Sequence, residues 1–396
     1  MKALFISTLF PCPPDTGGKL RTFNLLKETS RCGEVHLLTF YSRRKESVTT
    51  APELSLRCQV HLVPMEGRLN QLATAAFGDR PLSIAKYRSV KMAERIHRLQ
   101  SKHGFDLVYF DHLHVAQYRE CVAPGIKTVL DEHNVESIVL ARAAEYSWGP
   151  KRWVLESQAK KMRAYEAQVT KRFDLVTTVS EVDRRALGSL SPEARIQVVP
   201  NGVDTEFFSI EAPREAEWDL VFTGSMDWLP NEDAIFYFAN QILPRIMARA
   251  PLTKLLVVGR NPSPKLLKLG RRLPVHFTGA VPDVREYVRR SKVFVVPLRI
   301  GGGTRLKILE ALAMGSAVIS TSLGCEGLDT VDGEHLLVAD DPEEFACKTV
   351  DLIRNPELRR ALGSAGRNLV VDRYTWSCCA DRLFRALDEV FDSGKR

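Results

Sequence analysis

Residues 301–321 have the sequence GGGTRLKILEALAMGSAVIST, in which three glycines lead into a helical segment and then into a β-rich run. Apolar residues surround the helical part on nearly every side, which predicts that this helix is buried. The run over residues 317–321 is short, continuous and apolar, as expected of a strand that is covered on both faces of a parallel sheet. The segment therefore predicts an α/β architecture.

The beginning of this helix combines features that suit a diphosphate. Glycine lets the backbone approach a ligand without a clashing Cβ, and a helix start presents unpaired N–H groups to an anion. Arg305 and Lys307 add positive charges, and Glu310 lies about 1.5 turns further along, where it could accept hydrogen bonds from hydroxyls. This spacing predicts a nucleotide, although a simple turn followed by a Lys307–Glu310 ion pair explains it equally well. The P-loop pattern G-x-x-x-x-G-K-[ST] is absent.

Short β-rich runs alternate with helical segments along all 396 residues. Such alternation, with continuously apolar strands, predicts two doubly wound parallel α/β domains. The boundary is expected near residues 200–216, which gives domains at 1–199 and 200–373, and a last helix is predicted from Tyr374 to Phe391. Ser180 and Asp183 have the spacing of a helix capping box. Strands are predicted near residues 3–8, 34–41, 60–64, 107–111, 127–133 and 175–180, and then near 219–224, 254–259, 275–279, 293–298, 317–321 and 335–339.

Positive charge is concentrated in the first half of the chain. The whole chain has a net charge of +8, with +9 in residues 1–199 and −1 in residues 200–396. In residues 84–102 the bases predict one stripe along a helix whose apolar side is formed by Ile84, Met92, Ile96 and Leu99. Either an ordinary solvated face or contact with an anionic membrane explains the stripe, and nucleic acid is disfavoured because no binding motif accompanies the charge. The bases of this stripe are Arg88, Lys91, Arg95, Arg98 and Lys102, and a second basic segment runs from Lys151 to Arg172 with Trp153 near its start.

The remaining composition is that of a globular protein. The eight cysteines are scattered without C-x-x-C or zinc spacing, which predicts a reducing, cytoplasmic location. No apolar run approaches the roughly 18–20 residues of a membrane-spanning helix. The N-terminal segment is predicted to be a first strand and its loop rather than a signal peptide, because its apolar part is brief.

Polar residues and glycines follow the predicted strands, and ligands of open α/β sheets bind at this edge. In the second half these positions include Gly224, Gly259, Arg260 and Val281. In the first half they include Gly17 and Gly18, but G-x-G-x-x-G is absent, which disfavours a dinucleotide site. Three histidines and a carboxylate also suggest zinc, but H-x-H with one distant histidine is weak evidence, so no metal site is predicted. The residues in question are Asp111, His112, His114 and His133.

Together these motifs resemble the retaining GT-B glycosyltransferases of family 4, and in particular the sugar transferases of bacterial exopolysaccharide clusters. The resemblance extends over nearly the whole chain, and the long motif of residues 297–321 is its most specific part. The other matching segments are PDTGGKLR (14–21), DEHNVE (131–136), TTVSEVD (177–183), VVPNGVD (198–204), FTGSMDWLPNEDA (222–234), VVGRNP (257–262), FTGAVPDV (277–284) and YTW (374–376).

The resemblance implies two Rossmann-like domains that face a central cleft, with residues 374–396 crossing back to complete the first domain. It places the nucleotide-sugar donor, expected to be UDP-linked, on the second domain, and a lipid-linked or glycan acceptor on the first. Glu310 matches the second glutamate of the family's E-x7-E motif, which binds ribose, but Gly302 stands where the first glutamate is expected. The family's basic phosphate ligand after the first strand of the second domain is missing from GSMDWLPN, and Arg305 and Lys307 are predicted to replace it.

His133 matches a histidine that reaches the donor sugar, and Gly17 and Gly18 match a loop near the donor phosphates. Gly302, Gly303 and Thr304 are expected at the same phosphates, where backbone N–H groups would stabilise the leaving group without a metal or other cofactor. The predicted activity is a retaining, metal-independent sugar transfer, at the inner face of the cell membrane. Two alternatives remain, a sugar-nucleotide 2-epimerase and a non-catalytic GT-B-like binding subunit, and the missing glutamate at Gly302 favours the second.

Overall fold

The computed structural model describes residues 1–41, 57–65, 80–210 and 215–393, and the chain divides into two compact units. The N-terminal unit consists of Met1–Asn201 together with the chain from Trp376 onward, and the C-terminal unit is Gly202–Thr375. Each boundary lies two residues beyond the one expected from the sequence.

The N-terminal unit contains a seven-stranded parallel sheet in the order β3-β2-β1-β4-β5-β6-β7. Strand β1 pairs with β2 on one side and with β4 on the other, so the chain winds outward in both directions from it. Both faces of β1 are buried, because Leu4 and Ile6 belong to one apolar cluster and Ala3 and Phe5 to another. The strands are β1 (Lys2–Ser7), β2 (Glu34–Tyr41), β3 (Gln59–Pro64), β4 (Leu107–Asp111), β5 (Lys127–Glu132), β6 (Leu175–Thr178) and β7 (Ile196–Val198).

Helices cover both faces of this sheet. The last helix, α14 (Trp376–Ser393), packs against α1 and adds Leu383 and Leu387 to the cluster that contains Leu25 and Leu26. The others are α1 (Gly17–Thr29), α2 (Leu82–Ala85), α3 (Val90–His103), α4 (Glu136–Glu145), α5 (Pro150–Val169) and α6 (Glu181–Leu190), with 3-10 turns at Leu113–Cys121 and Thr170–Arg172.

The C-terminal unit contains a six-stranded parallel sheet in the order β10-β9-β8-β11-β12-β13. Its strands are β8 (Trp218–Thr223), β9 (Leu255–Val258), β10 (Val275–Phe277), β11 (Ser291–Val296), β12 (Ala317–Ser320) and β13 (Leu337–Val338). Its helices are α7 (Leu229–Tyr237), α8 (Leu243–Arg249), α9 (Pro264–Gly270), α10 (Arg285–Arg289), α11 (Leu306–Ala313), α12 (Pro342–Arg354) and α13 (Pro356–Arg373), with a π-helical turn at Phe238–Ile242. The two-sheet, doubly wound α/β architecture expected from the sequence is thus confirmed.

Two local predictions have different outcomes. The capping box is confirmed, because the Ser180 hydroxyl oxygen accepts the N–H of Asp183 at 3.1 Å at the start of α6. The prediction of a single basic helix over residues 84–102 is wrong in its first part. Ser89 caps α3 by accepting the N–H of Met92, so Ile84 and Arg88 lie before that helix. The stripe on α3 is therefore limited to Lys91, Arg95, Arg98 and Lys102.

Among the described residues, every helix is too short or too polar to cross a lipid bilayer. All eight cysteines are free thiols.

Candidate functional site

The glycine loop before α11 is shaped from inside by Arg305. This side chain is only 4% exposed, and it donates hydrogen bonds to the carbonyl oxygens of Gly302 and Gly303. Gly301 has a φ of 145°, and a Cβ there would lie 2.7 Å from an Arg305 guanidinium nitrogen, so only glycine fits. Arg305 therefore fixes the conformation of the loop in addition to placing a positive charge beneath it.

Lys307, on the first turn of α11, reaches the carboxyl end of β8. Its ammonium donates a hydrogen bond of 2.7 Å to Oδ1 of Asn231, and it lies 4.0 Å from the centre of the Phe222 ring. Loss of hydration and the charge of Arg305 together lower the pKa of Lys307 to about 7, although Glu310 opposes the shift. A nearby anion would reverse this shift, because it would favour the charged ammonium.

The Lys307 ammonium rests directly against the backbone that follows β8. A Cβ on Gly224 would lie 2.8 Å from Nζ of Lys307 and 2.7 Å from Nδ2 of Asn231. The family resemblance places a lysine in this loop, and the sequence GSMDWLPN lacks one. In the folded unit, the ammonium of Lys307 on α11 lies beside this loop, which has no lysine of its own.

The loops after β8, β9 and β10 meet at the same edge of the sheet. A Cβ on Gly259 would lie 1.8 Å from the carbonyl oxygen of Gly224, so these loops pack backbone to backbone. Arg260 donates to the Ser225 hydroxyl at 2.9 Å, and Gly259 bridges to Gly279. The edge thus combines glycine-lined backbone with two cationic side chains, Arg260 and Lys307.

The other predicted residues of this unit occupy the same region or its border. Glu310 is half-buried one turn beyond Lys307, and loss of hydration raises its pKa to about 7, an effect that Lys307 opposes. Thr304 is half-buried in the glycine loop, and Val281 packs partly buried against the core beyond β10.

In the N-terminal unit, the strand ends are crossed by a buried ionic network. Arg21, fully buried on α1, donates two hydrogen bonds to the carboxylate of Asp131, at 2.8 and 2.7 Å. It also donates to the carbonyl of Pro200 and to the side chain of Asn201, both at 3.1 Å. Burial alone would raise the pKa of Asp131, but Arg21 and His133 together outweigh it, and the pKa lies well below its usual value.

His133 lies between two carboxylates of this network. Its Nε2 is 2.8 Å from Asp111 and 3.3 Å from Asp131. Burial lowers the pKa of His133, but the two carboxylates outweigh that effect and raise it to about 9. His133 is therefore an imidazolium at neutral pH. Although Asp111 is buried, its interaction with His133 lowers its pKa. Asp111 also accepts hydrogen bonds from the hydroxyls of Ser7 and Thr22.

His112 stacks on His133, with ring centres 3.6 Å apart, and burial together with the charge of His133 lowers the pKa of His112 to about 3. A Cβ on Gly18 would lie 3.2 Å from His112 and 3.7 Å from His133, so the backbone of the first turn of α1 lies close to the histidine pair. His114 instead packs against the Tyr87 ring. Asp111, His112 and His133 are close enough to hold a metal ion, and such an ion would have to displace the proton of His133.

Some site residues were not singled out from the sequence. Asn231 is almost fully buried in the first turn of α7 and binds both Lys307 and the backbone of Ser225. A polar residue in the first turn after a buried strand was the available signal. Phe222, which lies beneath the ammonium, is indistinguishable in the sequence from any other core residue.

The two halves of the chain match separate family models. The model described as "Glycosyltransferase Family 4" matches residues 30–207, and that described as "Glycosyl transferases group 1" matches residues 217–355. Among solved structures, sucrose-phosphate synthase from Thermosynechococcus elongatus superposes with a TM-score of 0.77 over 99% of both chains, at 17% identity. The chain therefore belongs to the family 4 glycosyltransferases and has the GT-B fold.

Two curated relatives are similar to parts of the chain. The phosphatidyl-myo-inositol mannosyltransferase of Mycobacterium tuberculosis is 32% identical over 237 residues, which are 55% of this chain and 60% of that protein. The GDP-mannose-dependent alpha-(1-6)-phosphatidylinositol monomannoside mannosyltransferase of Mycolicibacterium smegmatis is 26% identical over 317 residues, 69% of this chain and 81% of that protein. The match thus spans less than two thirds of the first relative's length.

Proposed function

We propose that the chain transfers a sugar from a nucleoside diphosphate donor, and that the donor binds to the C-terminal unit. The observation that carries this proposal is the position of the Lys307 ammonium, against Gly224 at the carboxyl end of β8, with Glu310 one turn further along α11. Phosphates at Lys307 and Arg260 would leave the ribose beside Glu310. The pKa of Lys307, near 7, would rise when the diphosphate binds.

The charge that develops on the leaving diphosphate would be stabilised by groups already in place. Lys307 supplies a direct charge, and backbone N–H groups of residues 302–304 supply dipoles. Arg305 would position that loop, because its guanidinium is engaged with the loop carbonyl oxygens. With this positive charge on the chain itself, we propose that transfer is metal-independent. From the family resemblance we propose that it retains the anomeric configuration. Turnover in EDTA and NMR analysis of the product anomer test these two points.

The N-terminal unit would contribute His133. As an imidazolium, it can donate a hydrogen bond or stabilise negative charge on a reacting oxygen, but it cannot act as a general base at neutral pH. Arg21 would act as a positioning residue, since it holds Asp131, which in turn contacts His133. Gly18 leaves both histidine rings uncovered by a side chain.

The donor is proposed to be UDP-linked, as the family resemblance implies, and GDP-mannose is the second candidate, because one relative is named for it. A lipid-linked or glycan acceptor is proposed from the same resemblance and from the phosphatidylinositol in the relatives' names. Binding and hydrolysis of UDP-glucose, UDP-N-acetylglucosamine and GDP-mannose in EDTA distinguish the donors. Saturable turnover supports the transferase. Donor conversion to its 2-epimer indicates the epimerase, and absence of binding to every donor contradicts both.

The missing glutamate at Gly302 specifically favours one further candidate, a non-catalytic GT-B-like binding subunit. This candidate predicts nucleotide binding with no turnover of any donor, even when a membrane extract that supplies acceptors is added. Turnover of one donor in that assay contradicts it.

Replacement of Glu310 by glutamine tests the ribose assignment. We expect nucleotide affinity to fall by about tenfold or more, because a carboxylate that accepts hydroxyl hydrogen bonds is worth more than a neutral amide. The measurement is titration calorimetry with UDP and GDP at pH 8, where the Glu310 carboxyl is ionised. Exposed Glu334→Gln in the same unit is the matched control. Unchanged affinity in E310Q, with melting temperature unchanged, contradicts the assignment.

We also propose that the chain acts as a peripheral protein on the cytoplasmic face of the cell membrane. The exposed bases of α3 can attract anionic lipid headgroups. These bases are Lys91, Arg98 and Lys102. Reversal of their charge should reduce sedimentation with anionic vesicles. Undiminished sedimentation would mean that this face is only solvated.

A further inference from the structure

The tip of the α4–α5 hairpin exposes a group of large apolar side chains. Helices α4 and α5 pack against each other and are joined by residues 146–149. Around this connection, Trp148 is 90% exposed and Trp153 is 75% exposed, and Tyr146 and Val154 are also exposed. All four lie within residues 146–154, which we call the tryptophan tip.

Such a group is not explained by packing within the chain. Single exposed apolar residues are ordinary on protein surfaces, whereas clustered ones mark an interaction site. The other three tryptophans are less exposed, since Trp376 is buried, Trp218 packs partly buried against the C-terminal core and Trp228 is 45% exposed. The tryptophan tip therefore points to a surface on which these side chains are covered.

The charge around the tip identifies the kind of surface. Residues 150–172 contain seven bases and two acids, and one of those acids, Glu166, is buried. Lys151 and Arg152 are exposed within the tip itself, and exposed Lys160 lies two helical turns after Trp153 on the same face of α5. Two indoles with a basic rim match an anionic bilayer surface, where tryptophan occupies the headgroup region and lysine and arginine meet anionic headgroups.

We propose that the tryptophan tip inserts into the surface of an anionic lipid bilayer and is the main membrane contact of the N-terminal unit. Helix α3 also carries exposed bases, but its sequence VKMAERIHRLQSKH contains no tryptophan, tyrosine or phenylalanine, so it offers charge without an aromatic anchor. The inference does not depend on the donor site, because a chain that binds no nucleotide could still insert this tip.

The direct test is indole fluorescence with vesicles of equal parts phosphatidylcholine and phosphatidylglycerol, with brominated phosphatidylcholine as quencher. We expect strong quenching of the wild-type chain and its loss in the double variant Trp148→Phe and Trp153→Phe, because the other three tryptophans, Trp218, Trp228 and Trp376, are all less exposed. Quenching that persists in this variant overturns the proposal, and so does a wild-type chain that gives no quenching.

Sedimentation with the same vesicles separates the contributions. Trp148→Ala with Trp153→Ala should lower the partition coefficient by at least roughly tenfold, because the apolar area of two indoles no longer leaves water. Lys151→Gln with Lys160→Gln should lower it by about 25-fold at low salt, at about fivefold for each base. Leu252→Ala, which alters a highly exposed apolar residue of the C-terminal unit, is the matched control and should bind as wild type.

Two other occupants of the tip give different results. If a second copy of the chain covers it, light scattering will show wild-type dimers that the double alanine variant loses, with vesicle binding unchanged in both. If another protein covers it, the wild type and the variants will sediment equally with vesicles. Either result overturns the bilayer proposal. Nucleotide affinity, measured in parallel, should be the same in all tip variants, so a failed donor assignment remains distinguishable.

Discussion

Charged side chains lie at the strand ends of both units, but the two units differ in whether a carboxylate compensates the positive charge. In the N-terminal unit, Arg21 is fully buried and makes two hydrogen bonds to Asp131, so its charge is compensated. In the C-terminal unit, Lys307 donates to the amide oxygen of Asn231 and forms no ion pair with a carboxylate in the described part of the chain, although Glu310 one turn away opposes the lowering of its pKa. A compensated charge holds structure in place, whereas an uncompensated cation at a glycine-lined edge is suited to an external anion.

The comparison predicts its largest effect on stability in the N-terminal unit. Asp131→Asn leaves the Arg21 guanidinium buried beside a neutral amide, and we expect the free energy of unfolding to fall by about 3–5 kcal/mol. Urea unfolding followed by circular dichroism measures the change. Asp174→Asn, which alters a partly exposed carboxylate in the same unit, serves as the control. A loss for D131N no larger than that for D174N would show that the network is not compensated as described.

The matching change in the C-terminal unit should affect binding rather than stability. Lys307→Met removes an ammonium that is already poorly hydrated, so unfolding should change little, while nucleotide affinity falls by about tenfold to 100-fold. Calorimetry with the donor that binds best measures this loss. Lys292→Met, in the same unit but ion-paired to Asp219, is the control. Equal affinities for K307M and wild type would remove Lys307 from the donor site.

A third change concerns a buried carboxylate of the N-terminal unit that, unlike Asp131, is not paired with a cation in the ranges that the structure describes. Glu132 follows Asp131 in the sequence and is similarly buried, but neither of its carboxylate oxygens has a hydrogen-bond partner among the described residues. Burial and the nearby Glu166 raise the pKa of Glu132 well above its ordinary value. The folded chain then holds a proton that the unfolded chain releases, so stability should decrease as pH rises above about 4.5.

Glu132→Gln should remove part of that pH dependence. We expect the variant to be more stable than wild type by about 1–3 kcal/mol at pH 8, with little difference at pH 4. Urea unfolding at both pH values measures this. Glu166, whose pKa burial raises to about 7, should account for the dependence that remains below pH 7. A variant less stable than wild type at pH 8 would mean that the Glu132 carboxylate is stabilised after all.

The smallest expected effect is the pH dependence of nucleotide binding. The pKa of Lys307 is about 7 in the free chain, so the ammonium is progressively lost above that pH. Ionisation of Glu310 over the same range opposes this effect. Affinity for UDP or GDP should therefore weaken by at most about tenfold between pH 7 and pH 8.5, and Lys307→Arg should remove the weakening because arginine stays charged. Calorimetry at three pH values in this range suffices. A wild-type slope that is unchanged in K307R would assign the titration to another group.

Much of the architecture was predictable because it depends on local pattern. Strand β12 lies at Ala317–Ser320, within the residues expected from the apolar run, and α11 is buried as its composition requires. The capping of α6 by Ser180 followed from spacing alone. The error over residues 84–102 has a local cause too. The spacing of the bases continued through Ser89, where a side-chain cap starts a new helix.

The proximity of three predicted site residues was predictable from the sequence, but their individual contacts were not. Arg305, Lys307 and Glu310 were singled out together, and they do lie together at the start of α11. From the sequence alone, Arg305 and Lys307 are predicted to be equivalent cations at the donor phosphates. In the structure, Arg305 turns inward to the carbonyl oxygens of its own loop, whereas Lys307 reaches across to α7. Arg305 and Lys307 are two positions apart in the sequence, but their contacts differ because one side chain points into the loop and the other along the sheet edge.

The sequence by itself determined the two doubly wound units, the family, and the glycine-rich start of α11, because apolar periodicity and glycine placement act over a few residues. Only the tertiary structure decided the strand order, the compensation of Arg21 by Asp131, and the contact between Lys307 and the backbone of Gly224. The last two contacts join residues that are 110 and 83 positions apart along the chain. Their energies depend on burial and on distances between charges, which no local pattern encodes.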